Sequence, residues 1–146
     1  MAINQLRVDE LLAAIGERTP TPASGAVTAL TGALAAALAE LSARFAADDA
    51  GIARARELAS ELVQLGDKDA AAYAAYLADQ NDKTRAETIR VPEEIAARAE
   101  EVAELADRAA AKLKSSVAGD ARASAALARA AARVARGLAD LNRGES

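Results

Sequence analysis

The sequence predicts an all-α fold: a single domain, 1–146, of about five long alanine-rich helices packed as a bundle. Large apolar residues recur every three or four positions, which is the helical period, and no segment shows the pattern of a strand. Alanine supplies most of the apolar residues, which make up 52% of the chain, and the large side chains are few, with one Phe, two Tyr, one Met and no Trp. Because burial contributes only about 25 cal/mol per Å² of apolar surface, such a core is thin. A second copy of the chain would supply the missing area, so we predict a homodimer or higher oligomer formed through helices.

The first predicted helix is separated from the second by a loop that contains two prolines. Apolar spacing predicts that the first helix ends at Gly16. In the segment 19–25 the prolines disfavour helical geometry for the residues that precede them. Ser24 or Thr21 is expected to cap the helix that follows.

The second helix is predicted over about 25–47 and is expected to be the central helix of the domain. Its many small residues allow neighbouring helices to approach on more than one side. The uncharged run 23–39 is short for a membrane span and mostly Ala, Gly and Thr, so we predict a buried helix of a soluble protein. The large apolar residues of this helix fall on one stripe: Val27, Leu30, Leu34, Leu38, Leu41 and Phe45.

The third helix is predicted over about 52–79, with Gly66 as a weak point. Asp69 interrupts its apolar stripe, which makes this carboxylate the first candidate for chemistry. A fourth helix is expected to open at Pro92, because proline suits the first helical position. This helix is expected to end near 115–119.

The last helix is predicted to be capped by Asp120 and to run to about Leu141. Arginines on one face of it are expected to form a solvated surface that pairs with acidic neighbours; anion binding is the alternative. These arginines are Arg122, Arg129, Arg133 and Arg136. The residues expected to point inward are Leu127, Val134, Leu138 and Leu141.

Composition excludes several classes of function. Without cysteine there are no disulfides or thiolate metal sites, which is compatible with a reducing cytoplasm. Because the chain has no histidine, any acid–base chemistry near neutral pH must use an Asp, Glu, Lys or Tyr side chain whose pKa is shifted. The net charge of −4 argues against nucleic-acid binding, and the charged N-terminal segment 1–16 lacks the core of a signal peptide. We therefore expect a cytoplasmic protein without a nucleic-acid, membrane or metal partner.

Four segments, taken in order, resemble one known family. They are 18–41 (RTPTPASGAVTALTGALAAALAEL), 66–78 (GDKDAAAYAAYLA), 91–106 (VPEEIAARAEEVAELA) and 119–142 (GDARASAALARAAARVARGLADLN). Together they are similar to the formiminotetrahydrofolate cyclodeaminases and the related methenyltetrahydrofolate cyclohydrolases, which are all-helical folate enzymes. Compared with that family, the glycine-rich turn is reduced to Ala-Ser-Gly-Ala. The chain is also shorter between Leu77 and Val91, so we expect it to lack a helix and part of a pocket wall that the family has.

The resemblance implies a tetrahydrofolate derivative as substrate, with no further cofactor. The cyclodeaminase reaction closes 5-formiminotetrahydrofolate to the 5,10-methenyl form with loss of ammonia; the cyclohydrolase opens the methenyl ring with water. Both need orientation and a carboxyl whose pKa lies near neutrality. Asp69, and less directly Asp120, are the catalytic candidates. The substrate-binding candidates are Thr19, Thr21, Ser24, Gly25, Tyr73 and Asn142.

Each assignment has a structural alternative. Asp69 is also compatible with an interhelical hydrogen bond or an ion pair, and Asp120 with ordinary capping. The tyrosines are also compatible with a place in the core. The competing function is a non-catalytic helical binding or assembly module that kept the fold and lost the folate site.

Overall fold

The computed structural model describes residues 2–144 of the chain, in which a short 3₁₀ turn, Ile3–Gln5, precedes five α-helices. No strand occurs in this part of the chain, so the prediction of an all-α fold is confirmed. The helices are α1 (Val8–Gly16), α2 (Ser24–Phe45), α3 (Asp49–Ala78), α4 (Asp82–Lys112) and α5 (Ala118–Arg143).

Helices α2 to α5 form an up-down-up-down bundle, because each connection between them is short. Helix α2 is central and contacts α3, α4 and α5, as predicted. The N-terminal ends of α2 and α4 therefore lie at the same end of the bundle as the C-terminal ends of α3 and α5. The N-terminal turn is tied to α3, since the Ile3 amide donates to the Asp67 carboxylate at 3.0 Å.

The core between the helices is built mainly from alanine. Fully buried Leu58, Leu62 and Ile95 supply its largest side chains, and alanines of α2, α4 and α5 fill the rest. An added Cβ at Gly66 would lie 3.3 Å from the Ala29 Cβ, so α2 and α3 cross closely there. Gly66, predicted to be a weak point, is thus a packing position within a continuous helix.

Half of the predicted apolar stripe of α2 and most of that of α5 are exposed. On α2, buried alanines and Gly32 face the core, whereas Leu34, Leu41 and Phe45 are exposed. On α5, three of the four residues expected to point inward are exposed: Leu127, Val134 and Leu141. Helices that approach closely have room for alanine but not for leucine at their contacts, so the larger residues lie on the outside.

By length and composition α2 (Ser24–Phe45) is apolar enough to cross a membrane. Its neighbours in the bundle bury 56% of its most apolar stretch. This burial matches the pattern of a core helix, which passes the same test of length and composition.

Helix α4 begins ten residues before the position predicted for it. Asn81 caps it by accepting from the Thr84 amide at 2.9 Å, and the Thr84 hydroxyl accepts in turn from the Asn81 amide. Pro92 is therefore inside the helix and buried.

The start of α5 also differs from the prediction. A backbone turn, in which the Val117 and Ala118 amides donate to the Lys114 carbonyl, starts the helix at Ala118. Asp120 is then an exposed residue of the first turn and caps nothing. Two of the four arginines pair with acidic residues of α4, as expected: Arg129 contacts Asp107 and Arg136 contacts Glu100.

Candidate active site

A cavity of about 280 Å³ lies at the end of the bundle where α2 begins and α5 ends. The loop before α2, the last turns of α3 and α5, and one residue of α4 form its walls. Among the residues that line it are Thr21, Ser24, Gly25, Asp69, Tyr73, Thr88, Leu138, Leu141 and Asn142. The cavity thus brings together segments that are far apart in the sequence.

Asp69 lies on the wall of this cavity and packs against the start of α2. An added Cβ at Gly25 would lie 1.8 Å from Asp69 Oδ2, so the carboxylate occupies the space that any side chain at Gly25 would need. Within residues 2–144 Asp69 forms no ion pair, in contrast to the arginine-bound glutamates Glu40 and Glu61. Burial raises the pKa of the Asp69 carboxyl above its ordinary value, because removal from water disfavours the charged form.

Asn142 is held in place by a hydrogen bond that Pro92 makes available. Proline has no amide hydrogen, so Pro92 leaves the carbonyl of Thr88, four residues earlier, without its helical donor. The Asn142 side-chain amide donates to this carbonyl at 2.7 Å. Arg85 secures the same turn from outside by donating to the Asn142 carbonyl at 3.1 Å. The side chain of Asn142 therefore both lines the cavity and completes α4.

Six of the eight predicted site residues line the cavity: Thr21, Ser24, Gly25, Asp69, Tyr73 and Asn142. Thr19 is not among the lining residues, and its hydroxyl donates to the Thr21 carbonyl at 3.3 Å. Ser24 and Thr21 do not cap α2, whose N-cap is Ala23. Tyr73 is partly exposed, in accord with a side chain at a cavity rim.

Asp120 lies at the opposite end of the bundle. Twenty-two residues of one continuous helix separate it from Asn142, which is about 33 Å at 1.5 Å per residue. Asp120 therefore cannot act in this cavity together with Asp69 of the same chain. In the described residues 2–144, no group of three or more acidic side chains is placed to hold a metal ion.

Thr88 and Leu138 line the cavity but were not predicted as site residues. Once Pro92 is known to lie inside α4, Thr88 is marked by its position four residues earlier, because its carbonyl must then find another donor. Leu138 was predicted only to point inward from the last helix, and it does so at the cavity wall.

Comparison with known proteins gives a family for the sequence and a solved structure with the same fold. The sequence matches the family Formiminotransferase-cyclodeaminase over residues 7–145, and the chain belongs to that family. Its structure is similar to the crystal structure of formiminotetrahydrofolate cyclodeaminase from Thermotoga maritima, with a TM-score of 0.91 and 23% sequence identity. The match covers 99% of this chain and 82% of that one; at this identity it shows the shared fold. The comparison with curated proteins finds no match.

Proposed function

We propose that the protein is a folate one-carbon enzyme that converts 5-formiminotetrahydrofolate to 5,10-methenyltetrahydrofolate and ammonia. One observation carries the proposal: the Asp69 carboxyl, which forms no ion pair within residues 2–144 and whose pKa is raised by burial, is part of the wall of the cavity between α2, α3 and α5. Family membership supports folate as the substrate class. A non-catalytic module would have no need of such a carboxyl beside an open cavity.

The reaction needs a proton to move from the attacking nitrogen to the leaving nitrogen. The formimino group enters as its protonated cation. The secondary amine of the folate attacks the formimino carbon and forms a new C–N bond, and the Asp69 carboxylate accepts the proton that this amine must then lose. Asp69 donates the proton to the former imino nitrogen, now an NH₂ group; the bond between that nitrogen and the carbon breaks, ammonia leaves, and the product is the methenyl cation, which a carboxylate also stabilises electrostatically.

The remaining cavity residues serve orientation. Tyr73 offers an aromatic face for the pterin ring. At the start of α2, the first amides have no helical acceptor, and together with the hydroxyls of Thr21 and Ser24 they offer hydrogen bonds to polar atoms of the ligand. The side-chain oxygen of Asn142, which has no hydrogen-bond partner within residues 2–144, can accept from the ligand while the side-chain NH₂ group donates to the Thr88 carbonyl.

Turnover assays with a matched pair of variants test the proposal. Purified protein is mixed with 5-formiminotetrahydrofolate, and methenyl absorbance and released ammonia are followed together. Asp69→Asn is expected to lose turnover by a factor of at least about 100, in line with general acid–base catalysis. Asp79→Asn, which changes an exposed carboxylate near the end of the same helix, is expected to retain it. If the unmodified protein neither turns over this substrate nor binds tetrahydrofolate, the non-catalytic module is favoured. If it instead converts added methenyltetrahydrofolate to the formyl product, it is a cyclohydrolase.

A further inference from the structure

We infer that Arg85 is a positioning residue for the candidate active site, although its own side chain does not line the cavity. Arg85 lies in the first turn of α4 and holds the last turn of α5 from outside. That turn carries Leu141 and Asn142, which form part of the cavity wall. The effect of Arg85 on ligand binding rests on the proposed function; its hold on the end of α5 does not.

The end of α5 has carbonyl oxygens without helical donors, as every helix end does. Gly144, in the left-handed conformation with φ 85°, ends the helix, and its amide donates to the Leu141 carbonyl at 3.0 Å. The next two carbonyls, those of Asn142 and Arg143, are bound by Arg85. Its Nε donates to the first at 3.1 Å and its Nη2 to the second at 2.8 Å. One guanidinium group thus fixes two successive peptide groups.

The same turn of α4 also fixes the side chain of Asn142. Thr88 lies three residues after Arg85 on the same side of α4, and its carbonyl accepts from the Asn142 side-chain NH₂ group at 2.7 Å. The Thr88 hydroxyl in turn donates to the Arg85 carbonyl at 2.7 Å. Asn142 is therefore held both at its backbone and at its side chain, which sets the orientation of its side-chain amide at the cavity wall.

Arg85 uses its charge differently from Arg90, which is also an exposed arginine of α4. The Arg90 guanidinium binds Glu87 and Glu94 of its own helix. Within residues 2–144 the Arg85 guanidinium pairs with no carboxylate, and its charge lies at the C-terminal end of α5, where the helix dipole favours a cation. Removal of Arg85 is therefore expected to loosen the end of α5, whereas removal of Arg90 is not.

A second contact, between Arg143 and Glu93 of α4, reaches the same turn. This pair joins side chains that are 33% and 48% exposed, and exposed ion pairs contribute little to stability. It also acts on a side chain, whereas Arg85 binds the backbone oxygens themselves. The position of the Asn142 peptide group is therefore set mainly by Arg85.

Ligand binding and turnover by Arg85→Met, with Arg90→Met as the matched control, test this role. Methionine keeps an unbranched apolar stem but has no donor, and both positions are exposed. Arg85→Met is expected to raise the Kd for tetrahydrofolate and the KM for 5-formiminotetrahydrofolate roughly 5–10-fold, as for the loss of one hydrogen bond. The value of kcat and its pH dependence are expected to stay unchanged, because Asp69 is not affected. Arg90→Met is expected to retain the Kd, the KM and the kcat of the unmodified protein.

A double substitution separates action through Asn142 from an independent effect. The affinity of Arg85→Met/Asn142→Ala is expected to equal that of Asn142→Ala alone, since the side chain that Arg85 positions is then gone. Losses of affinity that multiply would overturn the inference. Equal losses in Arg85→Met and Arg90→Met, or a fall in kcat without a rise in KM, would also overturn it.

Hydrogen exchange followed by mass spectrometry, without any folate, keeps the test decisive if the proposed function is wrong. Amides at the end of α5, 138–143, are expected to exchange about 5–10-fold faster in Arg85→Met than in the unmodified protein or in Arg90→Met, because the end of the helix opens more easily. Unchanged exchange in Arg85→Met would overturn the inference. An unmodified protein that does not bind tetrahydrofolate would contradict the proposed function alone, and exchange would then decide whether Arg85 holds this turn.

Discussion

The bond between Asn142 and the Thr88 carbonyl gives a quantitative test of how α4 tolerates an internal proline. In Asn142→Ala this carbonyl loses its donor, because Pro92 has no amide hydrogen to replace it. Thr88 is buried, 6% exposed, so water has limited access to the orphaned oxygen. A buried unsatisfied acceptor costs about 1–3 kcal/mol, and we expect the free energy of unfolding to fall by that amount.

The second substitution, Pro92→Ala, restores an amide that can donate to Thr88. In that background Asn142→Ala should be less damaging, by about 1 kcal/mol or more, since the carbonyl keeps a helical donor. Urea unfolding of the four proteins of this double-mutant cycle, followed by circular dichroism, measures the coupling directly. If Asn142→Ala destabilised both backgrounds equally, within about 0.5 kcal/mol, Asn142 would not be the replacement donor for Pro92.

Three further predictions follow from the packing around Asp69 and Gly32. Gly25→Ala would place a Cβ 1.8 Å from Asp69 Oδ2 and must displace the carboxylate by more than about 1 Å. We therefore expect kcat/KM to fall roughly 100-fold at nearly constant Tm. The control is Gly119→Ala, which is also at the second residue of a helix but where an added Cβ would have no atom within 4 Å. Gly32→Leu should lower the free energy of unfolding, measured in urea, by about 1–3 kcal/mol, because even an added Cβ would lie 3.2 Å from the side chain of buried Leu62. An unchanged unfolding curve would contradict this packing. Burial raises the pKa of Asp69 above its ordinary 3.8, so the folded state holds this proton more tightly than the unfolded state, and the free energy of unfolding falls as the pH rises from 3.8 through the raised pKa. Asp69→Asn lacks this titration, so its stability relative to the unmodified protein should increase as the pH is raised from below 3.8 to neutral. A difference in stability that stays constant with pH would argue against the raised pKa.

The helical period predicted the fold class and the position of α2 and α3, but not which side of each helix is buried. The six large residues of α2 form a clear stripe, and the usual interpretation places such a stripe in the core. Here close contacts such as Gly32 against Leu62 leave room only for small residues. The burial pattern follows from how closely the helices approach, which the apolar period of one helix does not determine.

The predicted start of α4 was wrong because Pro92 was assigned to the first position of the helix, where proline is most common. A capping signal was present earlier, at Asn81 and Thr84, where two polar side chains stand three residues apart. The proline is tolerated in the interior because a residue of another helix, Asn142, supplies the missing donor. Such compensation depends on tertiary contacts and cannot be read from the segment around the proline.

The candidate site could be predicted only in part. Asp69 and Tyr73 stand four residues apart on α3 and were found together, because one helix face fixes their proximity. Asp120 was grouped with them by resemblance, although it lies at the other end of α5. Thr88 joins the site through the antiparallel packing of α4 and α5, a relation between distant segments that single-helix patterns do not contain.

The most direct test of the central claim is the pH dependence of 5-formiminotetrahydrofolate turnover by the unmodified protein and by Asp69→Asn. Asp69 acts first as a base, so turnover should rise as the pH passes the pKa of its carboxyl, which burial places above 3.8. The Asn variant should show low turnover without this rise. Equal turnover by the two proteins, with the same pH profile, would contradict the role of Asp69 and with it the proposed active site.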